Sequence, residues 1–389
     1  MTTTNAHRRL ASVACLGILG ASILSACGSS DDKKAESGSG STDFAAAQTA
    51  AKAAAEKAKA PITDRSLDLQ PVDNVDLKGK TILVVPLAGF LFTDAVEAFK
   101  QALEPTGAKV SVCDGKANPT EVSTCLGQAQ NLDASAVVTF AVSPKIAGNS
   151  YKDLADAKIP VYAAWQSKED TPPSDLLRFA DSLPSVRANA EVAVDQLIAT
   201  AKKPIHILNL GIADNPSIKT ISAYISDKIA GDCPTCEVDT ELLVSSKPAG
   251  AKTAVSGALL KDPDLGAVIT INVDTFGAEI IDGVASSNAD SDNLTVGGQA
   301  GGLNGMKLLA DGRVNYVALF SANYTGWVAA DGVVRMIAGA EQVDYPVMNR
   351  LFDASNVKDL ELTPTAAASF DWFGEPTYQD QIRASWGVE

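Results

Sequence analysis

From Lys78 onward, short β-branched runs alternate with segments whose apolar residues recur at helical spacing. Residues 81–86, with Ile82, Leu83, Val84 and Val85 in series, have the character of a buried parallel strand. A helix follows in which Val96, Phe99 and Leu103 share a face, Thr93 stands where a cap belongs, and Pro105 and Gly107 close it. Residues 109–113 read as a second strand. Asn118-Pro119-Thr120-Glu121 then supplies a capping residue, a proline at the first helical position and a glutamate at the third. Strands at 136–140 and 159–163 flank a helix near 151–157. A helix at 185–201 opens the second half, with strands at 205–210, 238–244, 267–271, 294–296 and 314–319. The helices between them carry Ile218, Ile221, Ile225 and Ile229, then Val255 and Leu259, then Phe276 and Ile280; others span 303–309 and 326–338. Alternation of this kind implies parallel sheets covered on both faces. About ten strands exceed one comfortable sheet, so the expected fold is α/β, with two doubly wound parallel-sheet (Rossmann-like) domains. Ligands of such sheets bind at the carboxyl ends of the strands, which places a site in the cleft between facing domains.

The first 26 residues carry an address. Arg8 and Arg9 precede a short apolar run, 10–24, too short and too rich in small residues for a membrane span. The run ends Leu24-Ser25-Ala26-Cys27, which resembles a bacterial lipobox, so Cys27 is expected to be acylated and to become the mature N-terminus. Two acyl chains suffice for stable anchoring, and the expected location is the outer face of the cell membrane. Residues 28–42 are a polar Ser/Gly/Asp/Lys stretch that reads as a flexible tether. Residues 44–60 are an Ala-rich helix former whose nearly all-alanine face should dock weakly or stay exposed. A lead-in continues to residue 77.

Composition narrows the chemistry. The 389-residue chain has a formal charge of −15, which argues against nucleic acid as a partner, and cleavage before Cys27 makes it two units more negative. Of two histidines, His7 leaves with the address and His206 lies in an apolar run, where a strand residue is expected rather than a base. G-x-S-x-G is absent, and 296–302 (Val-Gly-Gly-Gln-Ala-Gly-Gly) misses the dinucleotide spacing. The reading is a protein that binds and does not convert, with no cofactor and no metal. Cys15 leaves with the address. Outside the membrane, Cys113, Cys125, Cys233 and Cys236 read as two disulfides. The expected pairs are Cys113–Cys125, closing a short loop between strand and helix, and Cys233–Cys236, a small structural clip.

Several segments in order resemble the type I periplasmic binding proteins, the ribose-binding-like receptors of ABC importers. They are 83–92 (Leu-Val-Val-Pro-Leu-Ala-Gly-Phe-Leu-Phe), 112–119 (Val-Cys-Asp-Gly-Lys-Ala-Asn-Pro), 156–162 (Asp-Ala-Lys-Ile-Pro-Val-Tyr) and 261–268 (Lys-Asp-Pro-Asp-Leu-Gly-Ala-Val). After them come Val296-Gly-Gly-Gln299, Gly305-Met306-Lys307, Ala310-Asp311-Gly312-Arg313 and Gly326, with Ala338-Gly339. The resemblance implies two lobes joined by a three-strand hinge, crossing near 180–181, 320–321 and 349. Residues 78–180 plus 321–349 would form the N-terminal lobe and 181–320 plus 350–389 the C-terminal lobe. It also implies a monomer that captures a small-molecule ligand in the cleft and docks on an ABC permease. A ligand-sensing receptor for a membrane kinase or chemoreceptor is the alternative, ahead of a simple-sugar receptor or a secreted hydrolase.

Carried over residue by residue, the family's sugar-gripping positions fall on departures. Ala164-Trp165 stands where sugar receptors commonly place Asp-Arg, Ile221 or a neighbour replaces an Arg, Val273 an Asn, Gln299 an Asp and Phe320 a Gln. Asn272 and Asp274 flank Val273, and Asp274 also suits a helix cap. The paired aromatics of the family's first loop fall on Leu91-Phe92, with Phe90 adjacent. Ser143, Asn323 and Tyr324 are further loop candidates; Phe99, Phe276 and Trp327 read as core. A cleft short of bidentate polar partners cannot satisfy a buried polyol. Phe90, Phe92, Trp165 and Phe320 could enclose a flat or apolar solute, and about 200 Å² of apolar ligand burial would give on the order of 5 kcal/mol before costs. Gln299 and Asn272 would fix one or two polar ends. The expected ligand is therefore partly apolar or aromatic.

Overall fold

The computed structural model describes residues 39–63, 65–73, 75–166, 173–214, 216–287 and 293–388. The signal segment, the lipobox with Cys27 and nearly all of the tether lie outside them. Five strands, β1 (Thr81–Pro86), β2 (Lys109–Val112), β3 (Ala134–Phe140), β4 (Val161–Gln166) and β5 (Leu177–Asp181), form a wholly parallel sheet in the order β2-β1-β3-β4-β5. Six more, β6 (His206–Ile212), β7 (Glu237–Leu243), β8 (Ala267–Thr270), β9 (Thr295–Gln299), β10 (Tyr316–Phe320) and β11 (Asn349–Asp353), form a second in the order β11-β10-β9-β8-β6-β7. Only β11 runs antiparallel in it, against β10. The sequence expectation of two doubly wound sheets holds. The edge strands β5 and β11 escaped it because Leu-Arg-Phe-Ala-Asp and Asn-Arg-Leu-Phe-Asp are short and mixed, not continuous apolar runs.

Helices α1 (Ser39–Lys59), α2 (Gly89–Leu103), α3 (Pro119–Asn131), α4 (Pro144–Asp156), α5 (Leu183–Thr200), α6 (Pro216–Asp232), α7 (Gly250–Lys261), α8 (Val273–Ser287), α9 (Gly302–Ala310), α10 (Ala322–Ala338), α11 (Pro364–Ala368) and α12 (Thr377–Trp386) cover the sheets. The chain passes between them three times. After β5, α5 packs on β9, β10 and β11; after β10, α10 packs on α2 and on β3 to β5; residues 339–348 then lead back to β11. Phe99, Phe276 and Trp327 are fully buried core.

Two expectations need correction. The alanine face of α1 docks firmly. Phe44, Ala51 and Ala55 are buried against α5 and β11, where small side chains allow close approach. Lys59 Nζ pairs with Asp353 at 2.6 Å, and Arg350 Nε donates to the Lys59 carbonyl at 2.9 Å. The C-terminal tail stays against α9 and β11 through residue 373 and then leaves the second lobe. Tyr378, Ile382 and Trp386 form a buried stripe on α12, which packs on α10. Trp386 Nε1 donates to Asp331 at 2.5 Å and Tyr378 Oη to Asn323 Oδ1 at 2.6 Å. The lead-in runs along this tail, with Ile62 N donating to the Phe373 carbonyl and Val72 N to that of Ser385, both at 2.7 Å.

Thr93 does not cap α2. The helix begins four residues earlier, where Asp114 Oδ1 accepts Gly89 N at 2.7 Å, and Thr93 Oγ1 donates back to the Gly89 carbonyl. Asn118 does cap α3, accepting Thr120 N at 2.8 Å. Disulfides join Cys113 to Cys125 and Cys233 to Cys236, with Cα–Cα distances of 5.5 and 5.3 Å. The first ties the end of the β2 strand region to α3. His206 opens β6, with Nδ1 2.6 Å from Asp262 and Nε2 3.2 Å from Asp239.

Candidate functional site

The carboxyl ends of the strands carry backbone that ordinary residues avoid. Ala141, Trp165 and Ala300 have φ of 59°, 59° and 54°, at or just past the ends of β3, β4 and β9. Left-handed backbone at such residues is costly and gathers at binding sites. At Trp165 it coincides with a register shift between Ala164 and Gln166, a bulge of the kind that re-aims a side chain. The re-aimed indole stands 4.5 Å from the Phe320 ring and 6.3 Å from Phe92, and Phe92 stacks on Phe140 at 5.9 Å. A ladder of rings thus runs from the first sheet to the end of β10, where the chain changes lobes. Each contact of this type contributes about 0.5–1.5 kcal/mol beyond area burial.

Gln299 is the last residue of β9 and is 1% exposed, yet among the described residues neither amide atom has a hydrogen-bond partner. Its position is fixed by Gly298, at φ +154°, where a Cβ would come within 1.9 Å of the Thr270 carbonyl oxygen; only glycine lets β9 lie this close to β8. A buried amide left unpaired costs about 1–3 kcal/mol per group.

The other anticipated residues do different work. Asn272 Oδ1 accepts Thr275 N at 2.9 Å at the start of α8. Asp274 Oδ1 accepts Asn304 N at 2.9 Å and Gly305 N at 3.1 Å, tying the first turn of α9 to α8. Val273 is 1% exposed and packs beneath Gly277 and Gly305. Ile221 is core. Ser143 caps α4 through Lys145 N, and Asn323 is buried between the Ala368 carbonyl and Tyr378. Phe90 lies in the first turn of α2, and its side chain is outside the described residues. The structure therefore brings Phe92, Trp165 and Phe320 together and assigns Asn272 and Asp274 to helix starts.

One residue at the crossing was not anticipated. Asn189, buried on α5, accepts Phe320 N at 3.1 Å and donates to the Leu319 carbonyl at 3.2 Å, in the amide orientation its neighbours require. Its only sequence signal is a polar residue on a helix face otherwise formed by Val186, Ala190 and Ala193.

Two doubly wound lobes, joined by three crossings, meet at an aromatic junction at the strand ends. The chain belongs to the periplasmic binding protein domain family, which matches residues 82–341. Among solved structures, the 5-methylthioribose transporter solute-binding protein of Thermotoga lettingae, in complex with 5-methylthioribose, is similar at 13% identity and a TM-score of 0.63. That match covers 81% of this chain and 98% of that one. An Agrobacterium vitis ABC transporter solute-binding protein bound to α-D-tagatopyranose is similar at 15% identity and 0.60, over 74% and 98%. A Bacillus halodurans ABC transporter solute-binding protein with myo-inositol gives 15% and 0.60, over 76% and 99%. These likenesses show the type I periplasmic binding protein fold. No curated protein matches the chain. A periplasmic binding domain works outside the cytoplasm, and no helix among the described residues is long and apolar enough to cross a membrane.

Proposed function

We propose that this protein is a lipid-anchored receptor that captures a small ring-shaped solute between its lobes and delivers it to an ABC importer. The observation that carries the reading is the junction of Trp165 and Phe320, a ring pair at the crossing between sheets, together with the buried, unpaired amide of Gln299. The ring ladder suits an apolar face or substituent; the amide suits a hydroxyl or carbonyl. The ligands named for the three similar structures are ring polyols, and one of them, 5-methylthioribose, carries an apolar substituent. We therefore read the solute as a hydroxylated ring with an apolar face or arm.

In this mechanism the ligand enters with the lobes apart. Contacts to both lobes select the closed arrangement, because only there are all of them made together. The closed form is what the permease recognises. Cys27 holds the protein at the membrane.

A thermal-shift screen of pentoses, hexoses, inositols, thiosugars and aromatic acids tests the solute class, since a ligand at 100 times its Kd adds about 2.7 kcal/mol. The expected result is a hit whose calorimetric affinity falls at least tenfold in Phe320→Gln. Micromolar binding of an unsubstituted pentose or hexose, unchanged in that variant, would overturn the apolar contribution. Cys27→Ala should release the protein from membranes; an unchanged membrane fraction would overturn the anchor.

A further inference from the structure

The chain passes between the lobes twice more, in the lead-in and in the tail, both outside the 82–341 range that the family matches. Helix α1 packs on α5 and β11 of the second lobe, and the lead-in after it bonds to α12, which lies against α10 of the first. The tail makes the same passage: Phe373 stands edge-on to Phe352 of β11, and Tyr378 edge-on to Tyr324 and Trp327 of α10. The two passages are fastened together. Ile62 N donates to the Phe373 carbonyl at 2.7 Å and Glu375 N to the Ile62 carbonyl at 3.0 Å. Gly374 lies between these bonds at φ +139°, where a Cβ would come within 2.1 Å of the Ile62 carbonyl oxygen; only glycine lets the two backbones touch. On the first-lobe side, Gln381 of α12 pinches the lead-in. Its Oε1 accepts Leu67 N at 2.6 Å and its Nε2 donates to the Arg65 carbonyl at 3.0 Å. Arg65 Nη1 donates to the Val347 carbonyl at 2.7 Å, which ties the lead-in to the third crossing.

We infer that the lead-in and the tail form a strap beside the hinge that limits how far the lobes rotate apart. The reason is the short reach between its fixed points. Ile62 and Phe373 are held on the lobe of β11, through Lys59 and Arg350 as well as through each other. Leu67 and Tyr378 are held on the other lobe, by α12 and α10. Residues 63–66 and 374–377 alone span the gap. Five residue steps reach about 17 Å at full extension, and Pro376 stiffens the second passage. Two such tethers beside a three-crossing hinge exclude the wider arrangements that the crossings by themselves would allow. The strap therefore narrows the range of lobe separations in the ligand-free protein.

The test uses the full chain with spin labels at the exposed positions Lys152 and Leu260, one in each lobe. The labels are read without ligand, so the result does not depend on which solute binds. Gly374→Ala wedges the two passages apart. Arg65→Ala with Gln381→Ala frees the lead-in from the third crossing and from α12. Each should widen the distribution of label separations by about half or more. Hydrogen exchange should speed about tenfold at Ile62 in the first variant and at Leu67 in the second, while residues 82–85 keep their protection; that pattern shows the strap released and the sheets intact. A protease site placed between the exposed Arg65 and Ser66 cuts one passage with every side chain kept, and the cut chain should show the same widening. Released exchange with an unchanged distribution in both variants, or an unchanged distribution after complete cutting, would overturn the strap. Full protection of Ile62 and Leu67 in the variants would overturn the anchor points it depends on.

Discussion

Asp331 sits fully buried in α10 and holds three segments of chain together. It accepts Arg335 Nε at 2.7 Å and Trp386 Nε1 at 2.5 Å, and it also accepts the Tyr345 hydroxyl. Arg335, 2% exposed, reaches on to the Gln70 carbonyl at 3.0 Å. Helix α12, the third crossing and the lead-in thus meet at one carboxylate. Burial first, then the Asp331 charge, push the Tyr345 hydroxyl well above its ordinary range, so it remains a donor. Asp331→Ala strands a buried guanidinium, which costs about 3–5 kcal/mol, and leaves two neutral donors unpaired at about 1–3 kcal/mol each. These losses share one network and do not add, so the expected total is about 5 kcal/mol. At roughly 2 °C per kcal/mol, Tm should fall by about 10 °C. Urea titration and calorimetry of the ligand-free protein measure this, and limited proteolysis should show the 377–388 segment cut first. Asp331→Leu with Arg335→Met removes both charges and should cost less than the sum of the single changes. A loss below about 1 kcal/mol for Asp331→Ala, or strict additivity in the double variant, would refute the hub.

Further outcomes follow from other parts of the chain. Burial lowers the affinity of His206 for a proton, but the hydrogen bond to Asp262 and the charges of Asp239 and Asp262 outweigh it, so its pKa lies above the ordinary value. A raised histidine pKa stabilises the fold fully below about pH 6.5, the unfolded value, and that stabilisation fades as pH rises through the folded value. An NMR titration of His206 should give a midpoint above 6.5; a midpoint at or below it would contradict the cluster. Replacing Cys113 and Cys125 by Ser should cost about 3 kcal/mol, and Cys233 and Cys236 about 2, from the loops each pair closes; mass spectrometry finding four free thiols would contradict both pairs. Phe44→Ala should cost about 3 kcal/mol if α1 is docked as seen, and nearly nothing if it were only a spacer.

The sheets were legible because a strand buried on both faces must be apolar along its length, as Ile82-Leu83-Val84-Val85 is. The helices α2 and α3 were legible from their apolar faces, though the start of α2 was not, since Asp114 caps it from 25 positions away. The docking of α1 was hidden because alanine signals helix propensity, not the flatness that lets two helices approach. At the site, aromatic residues in the right loops pointed to the Phe92–Trp165–Phe320 ladder. Asn272 and Asp274 misled because capping and ligand binding ask for the same short polar side chain. Neither the left-handed turn at Trp165 nor the isolation of the Gln299 amide leaves a trace in local sequence, since both arise from what lies opposite.

Gln299→Leu is the most direct test of the account, because burial of an unpaired amide makes opposite demands on stability and binding. Leucine fills a similar volume without an unsatisfied polar group, so the ligand-free protein should gain about 1–2 kcal/mol in urea unfolding. Calorimetry with the solute found by screening should show its affinity fall at least tenfold. A variant that binds as the wild type does, or is less stable without ligand, would contradict the assignment of Gln299 and the ring junction as the solute site.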